Sequence, residues 1–175
     1  MAPEISGGDH VRGAPGAPMR LLIYGDYECP YTRNALISVA QVRESLGDDF
    51  IYAFRNFPLT EIHPHALHAA LAAEAAELQG KFWEMHDLLF QSQRALTDED
   101  LAAHAAEIGL DADRFRADFA DRKGLPRIEA DVASGVRNGV EGTPSLFING
   151  APYQESYDPE NLANALRTAS QRPDR

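Results

Sequence analysis

The sequence predicts an α/β fold: a strand–helix–strand opening, a long helical insertion, then a closing hairpin and helix. Three observations carry this. Apolar runs at 19–24 and 50–54 flank a helical pattern from Arg33 to Leu46, the spacing of a right-handed βαβ unit with parallel strands. Residues from about 62 to about 123 are helical in pattern, too long for a simple crossover, and read as an inserted α-helical subdomain. Asn149-Gly150 between two short apolar runs is the strongest local signal for a two-residue hairpin.

Taken in order, residues 1–17 are rich in Gly, Pro and Ala without apolar periodicity, and are expected to form a flexible or extended lead-in to a single domain over 18–170. Met19 to Tyr24 is the first strand. The following helix is expected to bury Leu36, Val39, Ala40 and Leu46 and to stop at Gly47. Phe50 to Phe54 is the second strand, ended by Asn56-Phe57-Pro58. In the insertion, Pro64 can open a helix with Leu67, Leu71 and Leu78 on one face and Gly80 after its end. Phe82, Met85, His86 and Leu89 mark a second. Thr97 with Asp100 caps a third, with Leu96 stapled to Leu101 and Gly109 closing it; Asp111 caps a fourth, with Leu110 and Phe115 as its staple, so that four capped helices are expected in a row. A further helix over about 126–138 carries Ile128, Val132 and Val136. The hairpin follows, with Pro152 confined to a sheet edge or strand start because it has no N–H to donate. Asp158 caps the last helix, with Pro159 at its first position.

A formal net charge of -11 argues against nucleic acid and against an anionic membrane surface, both of which require clustered Lys and Arg. No apolar run reaches the roughly 20 residues of a membrane span, and no signal-like apolar segment opens the chain. The cytoplasm is the expected location. One cysteine, Cys29, stands among 175 residues, so any disulfide chemistry must involve a second molecule. Cys29 follows the first strand and precedes the first helix, where unpaired N–H groups and the helix dipole favour a thiolate. The alternative is a buried, inert thiol.

Four segments in order carry a family resemblance: Gly25-Asp26-Tyr27-Glu28-Cys29-Pro30-Tyr31, Arg55-Asn56-Phe57-Pro58-Leu59, Gly80-Lys81-Phe82-Trp83-Glu84-Met85-His86-Asp87 and Gly142-Thr143-Pro144-Ser145-Leu146-Phe147-Ile148-Asn149-Gly150. Together they resemble the DsbA-like thiol-disulfide oxidoreductases, from about Asp9 to Leu166. The resemblance implies a thioredoxin-like fold with an inserted α-helical subdomain. It also implies that Cys29 is the nucleophile, with Pro30 and Tyr31 beside it as substrate-binding residues. It implies a cis bond at Thr143-Pro144, with the proline packed by the nucleophile and the backbone of Thr143 pairing with an extended substrate.

The departure is Thr32. The family pattern has a second cysteine there, which resolves the mixed disulfide formed by the first. Cys-Pro-Tyr-Thr can begin exchange, but release requires an outside thiol. The expected activity is therefore monothiol exchange, with glutathione as co-substrate rather than a bound cofactor, acting on a glutathione mixed disulfide or a protein disulfide. Thr32 can serve as a hydroxyl donor to the thiolate or simply fill space in the first helical turn. Alternatives on the same fold are a glutathione-dependent transferase or peroxidase, a peptide-binding module without catalysis, and a homodimer linked through Cys29.

Other side chains read more plainly. His63, His65 and His68 contain metal-ligand types, but Pro64 breaks their spacing and no cysteine lies near them in sequence, so no metal is expected and a solvated helix start is the better reading. His86 reads as a core or subdomain-contact histidine. Phe82, Trp83 and Phe90 read as packing before groove lining. Asp26 and Glu28 read as a solvated turn that opposes thiolate formation if it lies close to Cys29.

Overall fold

The computed structural model describes residues 2–171. The chain divides into two compact units. One takes the residues through Gly25, then Tyr31–Arg55, then Ser134 onward; the other takes Asp26–Pro30 and Asn56–Ala133.

The first unit is built on a sheet of order β1-β3-β2-β4-β5, with β1 at His10–Gly13, β2 at Met19–Gly25, β3 at Phe50–Asn56, β4 at Ser145–Ile148 and β5 at Ala151–Tyr153. β4 runs antiparallel to β2, Leu22 opposite Phe147, and β5 antiparallel to β4. Leu21, Leu22, Ile23 and Tyr24 are all buried, as expected of a central strand covered on both faces. Asn149 and Gly150 both have positive φ, at 45° and 80°, the two left-handed residues of the hairpin turn that Asn-Gly favours. Pro152 lies on the edge strand β5. Helix α7 (Pro159–Ser170) packs on β2 and β4, and the side chain of Asp158 accepts from the Asn161 N–H as its cap.

Helix α1 (Pro30–Leu46) buries Thr32, Ala35, Ser38, Val39 and Val42, a set that shares only Val39 with the expected stripe of Leu36, Val39, Ala40 and Leu46. Small residues occupy the face that packs closely. β3 also runs two residues beyond the expected strand, through Arg55 and Asn56.

Of the two expected forms of the lead-in, flexible or extended, residues His10–Gly13 take the extended one. β1 pairs antiparallel with β3, His10 opposite Phe54. Arg55, which is buried, makes a two-pronged bond to Asp9, Nε to Oδ1 and Nη2 to Oδ2, both at 2.8 Å, and donates to the Tyr24 hydroxyl and the Glu4 carbonyl. Burial opposes the charge on Asp9, but the Arg55 guanidinium and the Ser6 N–H outweigh it and hold the carboxyl below its usual range. A segment without apolar periodicity is thus ordered by a buried guanidinium distant in sequence.

The second unit is helical: α2 (Ala66–Glu77), α3 (Phe82–Gln91), α4 (Asp98–Glu107), α5 (Ala112–Ala120) and the first part of α6 (Leu125–Arg137). α2 packs against α3, α4 and α5. Its buried residues are mainly alanines, from Ala66 to Ala76, while Leu78 is 44% exposed. It begins at Ala66 rather than Pro64, and neither His65 before α2 nor Lys81 before α3 supplies a side-chain cap. The expected series of four capped helices therefore reduces to α4 and α5. There Thr97 and Asp100 form a full capping box and Asp111 accepts from the Arg114 N–H. On α6 the buried residues include Ile128 and Asp131, and Val136 is 63% exposed. Asp131 accepts from the backbone and side-chain amides of Asn56 and from Arg127, while Asn56 also donates to Glu74. No helix among the described residues is long and apolar enough to cross a membrane.

Candidate active site at Cys29

β2 ends at Gly25 and α1 begins at Pro30, so Cys29 stands directly before the first helical residue. The turn between them is closed by the Cys29 N–H donating to the Asp26 carbonyl at 3.1 Å. Asp26 reinforces it from the side chain: Oδ1 accepts the Glu28 N–H at 2.7 Å, the i to i+2 bond that makes Asp a turn former. Cys29 is in no disulfide and is 3% exposed.

The segments that follow tie this turn down. Gln93 Nε2 donates to the carbonyls of Tyr27 and Cys29, at 2.9 and 3.0 Å. The Glu28 carboxylate accepts the His65 N–H at 2.8 Å. The Tyr27 hydroxyl lies 3.0 Å from His86 Nδ1, and its ring packs 4.9 Å from Phe90. His86 in turn sits edge-on to Trp83. His86 is therefore the buried contact histidine that the sequence suggests, and Phe82 and Phe90 are packing residues.

Asp26 corrects the sequence reading. It is 1% exposed rather than solvated, and Oδ2 accepts the Leu59 N–H and meets His63 Nδ1, both at 2.8 Å. The histidines of the 63–68 segment are solvated at His65 and partly so at His68, as expected of a helix start, but each also meets an acidic partner. His63 pairs with Asp26, the His65 backbone with Glu28, and His68 with Asp98 at 2.6 Å. They diverge to three separate carboxylates, and no group of His, Cys, Asp and Glu among the described residues has metal-binding geometry.

Thr32 is fully buried in the first turn of α1. A Cβ on Gly25 would lie 2.8 Å from the Thr32 methyl and 2.5 Å from Phe54 Cε2, so glycine at 25 is what lets strand and helix approach. Pro30 is exposed and Tyr31 is 64% exposed. Thr143 and Pro144 are half-buried, the bond between them is cis, and the Ser145 hydroxyl donates to the Gly142 carbonyl at 2.8 Å across it.

The sequence places Asp26 in the turn of Cys29, though as a solvated residue, and does not point to His63 or Gln93 as parts of this site. Asp-x-x-Cys carries an Asx-turn signal that points to Asp26. Gln93 and His63 have no local signal, since each reaches the turn from a distant segment.

The sequence model described as "Thioredoxin" matches residues 6–168. The chain belongs to the thioredoxin family. Among solved structures, this thioredoxin-family chain is similar to a thioredoxin-like oxidoreductase from Silicibacter pomeroyi, at 24% identity and TM-score 0.85 over 96% of this chain and 95% of that one. It is also similar to BdbD from Bacillus subtilis, at 19% identity and TM-score 0.87 over 97% and 96%. At these identities the likeness is one of fold, and it is the DsbA-like form of the thioredoxin fold. A different relative is closer in sequence. The Na(+)/H(+) antiporter NhaA 1 of Salinispora arenicola is 46% identical over 97% of this chain, which covers 26% of that protein. The chain thus spans about a quarter of the length of the curated relatives it matches.

Proposed function

We propose that the chain is a monothiol thiol-disulfide oxidoreductase with Cys29 as nucleophile. The observation that carries this is the position of the sole cysteine, in a hydrogen-bonded turn directly before α1 of a thioredoxin-family domain. In the first step the Cys29 thiolate attacks one sulfur of a disulfide, a new S–S bond forms, and the other sulfur leaves as a thiolate that takes a proton. With Thr32 where a resolving cysteine would stand, a second thiol attacks the mixed disulfide, regenerating Cys29 and carrying the oxidised sulfur away. For a glutathione mixed disulfide the sum is one protein or peptide thiol and one glutathione disulfide, from the mixed disulfide and one glutathione. We propose the cytoplasm as the compartment, because glutathione keeps thiols reduced there.

A sulfur with so little solvent contact favours partners that seat on the rim of the turn, which exposed Pro30 and Tyr31 offer. Thr143 and Pro144 are proposed as substrate-pairing residues through the family resemblance. Turnover of a glutathionylated peptide with reduced glutathione tests the reading. Cys29→Ser should abolish it, whereas full retained function in Cys29→Ser favours a peptide-binding module.

The identity to antiporter chains favours one refinement: the disulfide partner belongs to a Na(+)/H(+) antiporter, in the same chain or a separate one. Lacking a resolving cysteine, Cys29 should hold such a partner as a mixed disulfide on non-reducing electrophoresis when small thiols are withheld. Absence of that species with the antiporter present would exclude this refinement.

A further inference from the structure

Asp26 and His63 have no part in the exchange just described, yet both are built into the turn that bears Cys29. The Asp26 side chain has no solvent exposure, and a buried carboxylate persists only when its oxygens are met by donors. Two of those donors are fixed backbone N–H groups, from Glu28 and Leu59. His63 is a further donor, and unlike those backbone groups it can change its charge.

We propose that His63 is a positioning residue for Cys29: its protonation, relayed through Asp26, sets how readily the thiol becomes a nucleophile. The proposal rests on Cys29 being the nucleophile. Contact with the carboxylate keeps the proton on His63 Nδ1, so Nε2 is the atom that gains or loses one. The side chain is 19% exposed, enough for exchange with water. The bond from Cys29 N–H to the Asp26 carbonyl closes residues 26–29 into one turn, with Asp26 and Cys29 at its two ends.

Several titratable groups face this turn besides His63, among them Glu28, His86 and His65, whose N–H meets Glu28. Glu28 is a second carboxylate within it, held by the His65 N–H; His86 faces it through Tyr27; Gln93 is neutral. Asp26 and Glu28 both oppose a thiolate, and a proton on His63 cancels one of the two. Acid therefore acts on Cys29 in two opposed ways. It protonates the thiol, and by protonating His63 it also relieves the charge that disfavours the thiolate.

The test is the rate of Cys29 alkylation by iodoacetamide on the full chain from pH 5 to 9, for wild type and His63→Asn. The asparagine amide takes the place of Nδ1 and keeps the bond to Asp26 but never charges. The wild-type rate should exceed that of the variant roughly tenfold near pH 5.5, with the ratio falling to about 1 near pH 8. A ratio independent of pH means that His63 is only structural and overturns the proposal. Should the variant not fold, the wild-type profile decides: two steps support the proposal and a single thiol titration overturns it. Alkylation needs no disulfide substrate. A chain that shows the ratio but does not turn over disulfides refutes only the proposed function, and the converse refutes only the role of His63.

Discussion

Gln93 Nε2 lies 3.0 Å from the carbonyl oxygen of Cys29 and donates to it, while the same nitrogen serves Tyr27. The backbone of the nucleophile's turn is thus held by a side chain that follows α3. Gln93→Leu keeps the bulk and removes the donor, leaving two carbonyls without this partner. Unfolding free energy should fall by about 1–3 kcal/mol in urea denaturation, and amide exchange in the 26–30 turn should speed up more than in β2. Unchanged exchange in the turn would mean that Gln93 does not restrain it.

The Arg55–Asp9 pair makes the lead-in part of the fold. Asp9 is held below its unfolded carboxylate value, so its contribution is present above that value and is lost as pH falls through the folded one. Asp9→Asn should therefore flatten the acid limb of the stability curve. Arg55→Ala removes the buried partner and should cost about 3 kcal/mol at neutral pH by thermal or chemical unfolding.

Asp131 behaves with the opposite sign. Burial raises its carboxyl above the usual range, with Glu74 adding to the effect, and Arg127 and the Asn56 N–H only partly offset it. The folded state thus holds the proton better than the unfolded one, and stability declines as pH rises from the unfolded toward the folded value. In Asp131→Asn that decline should disappear; a pH series of urea midpoints would show it, and an unchanged slope would assign the decline to other groups.

Gly25→Ala tests the close approach of β2 and α1. The added Cβ would press on Phe54 and the methyl of Thr32 within 3 Å, so backbone or ring must shift. A loss of about 1–3 kcal/mol is expected, read as a lower Tm. Unaltered stability would show that the Thr32 turn is looser than the distances indicate.

Local chemistry was legible in the sequence. Thr97 with Asp100, Asp111, Asp158 and the Asn149-Gly150 turn each act within four residues, and each stands where the pattern puts it. Helix faces were less legible, because leucines drew the reading while alanines and other small residues fill the closest packing in α1 and α2. Long-range polar bonds were not legible. His63 reaches Asp26 from 37 residues away, Arg55 reaches Asp9 from 46, and Gln93 reaches Cys29 from 64. For this reason the nucleophile could be picked out by its uniqueness and its place before a helix, while the groups that hold its turn could not.

The most direct measurement is mass spectrometry of the chain exposed to a glutathione mixed disulfide and then to reduced glutathione. A single glutathione adduct on Cys29 is expected, stable while free thiol is absent because Thr32 cannot resolve it, and cleared when the second thiol is added. An adduct that never forms, or one that persists in the presence of that thiol, would contradict monothiol exchange at Cys29.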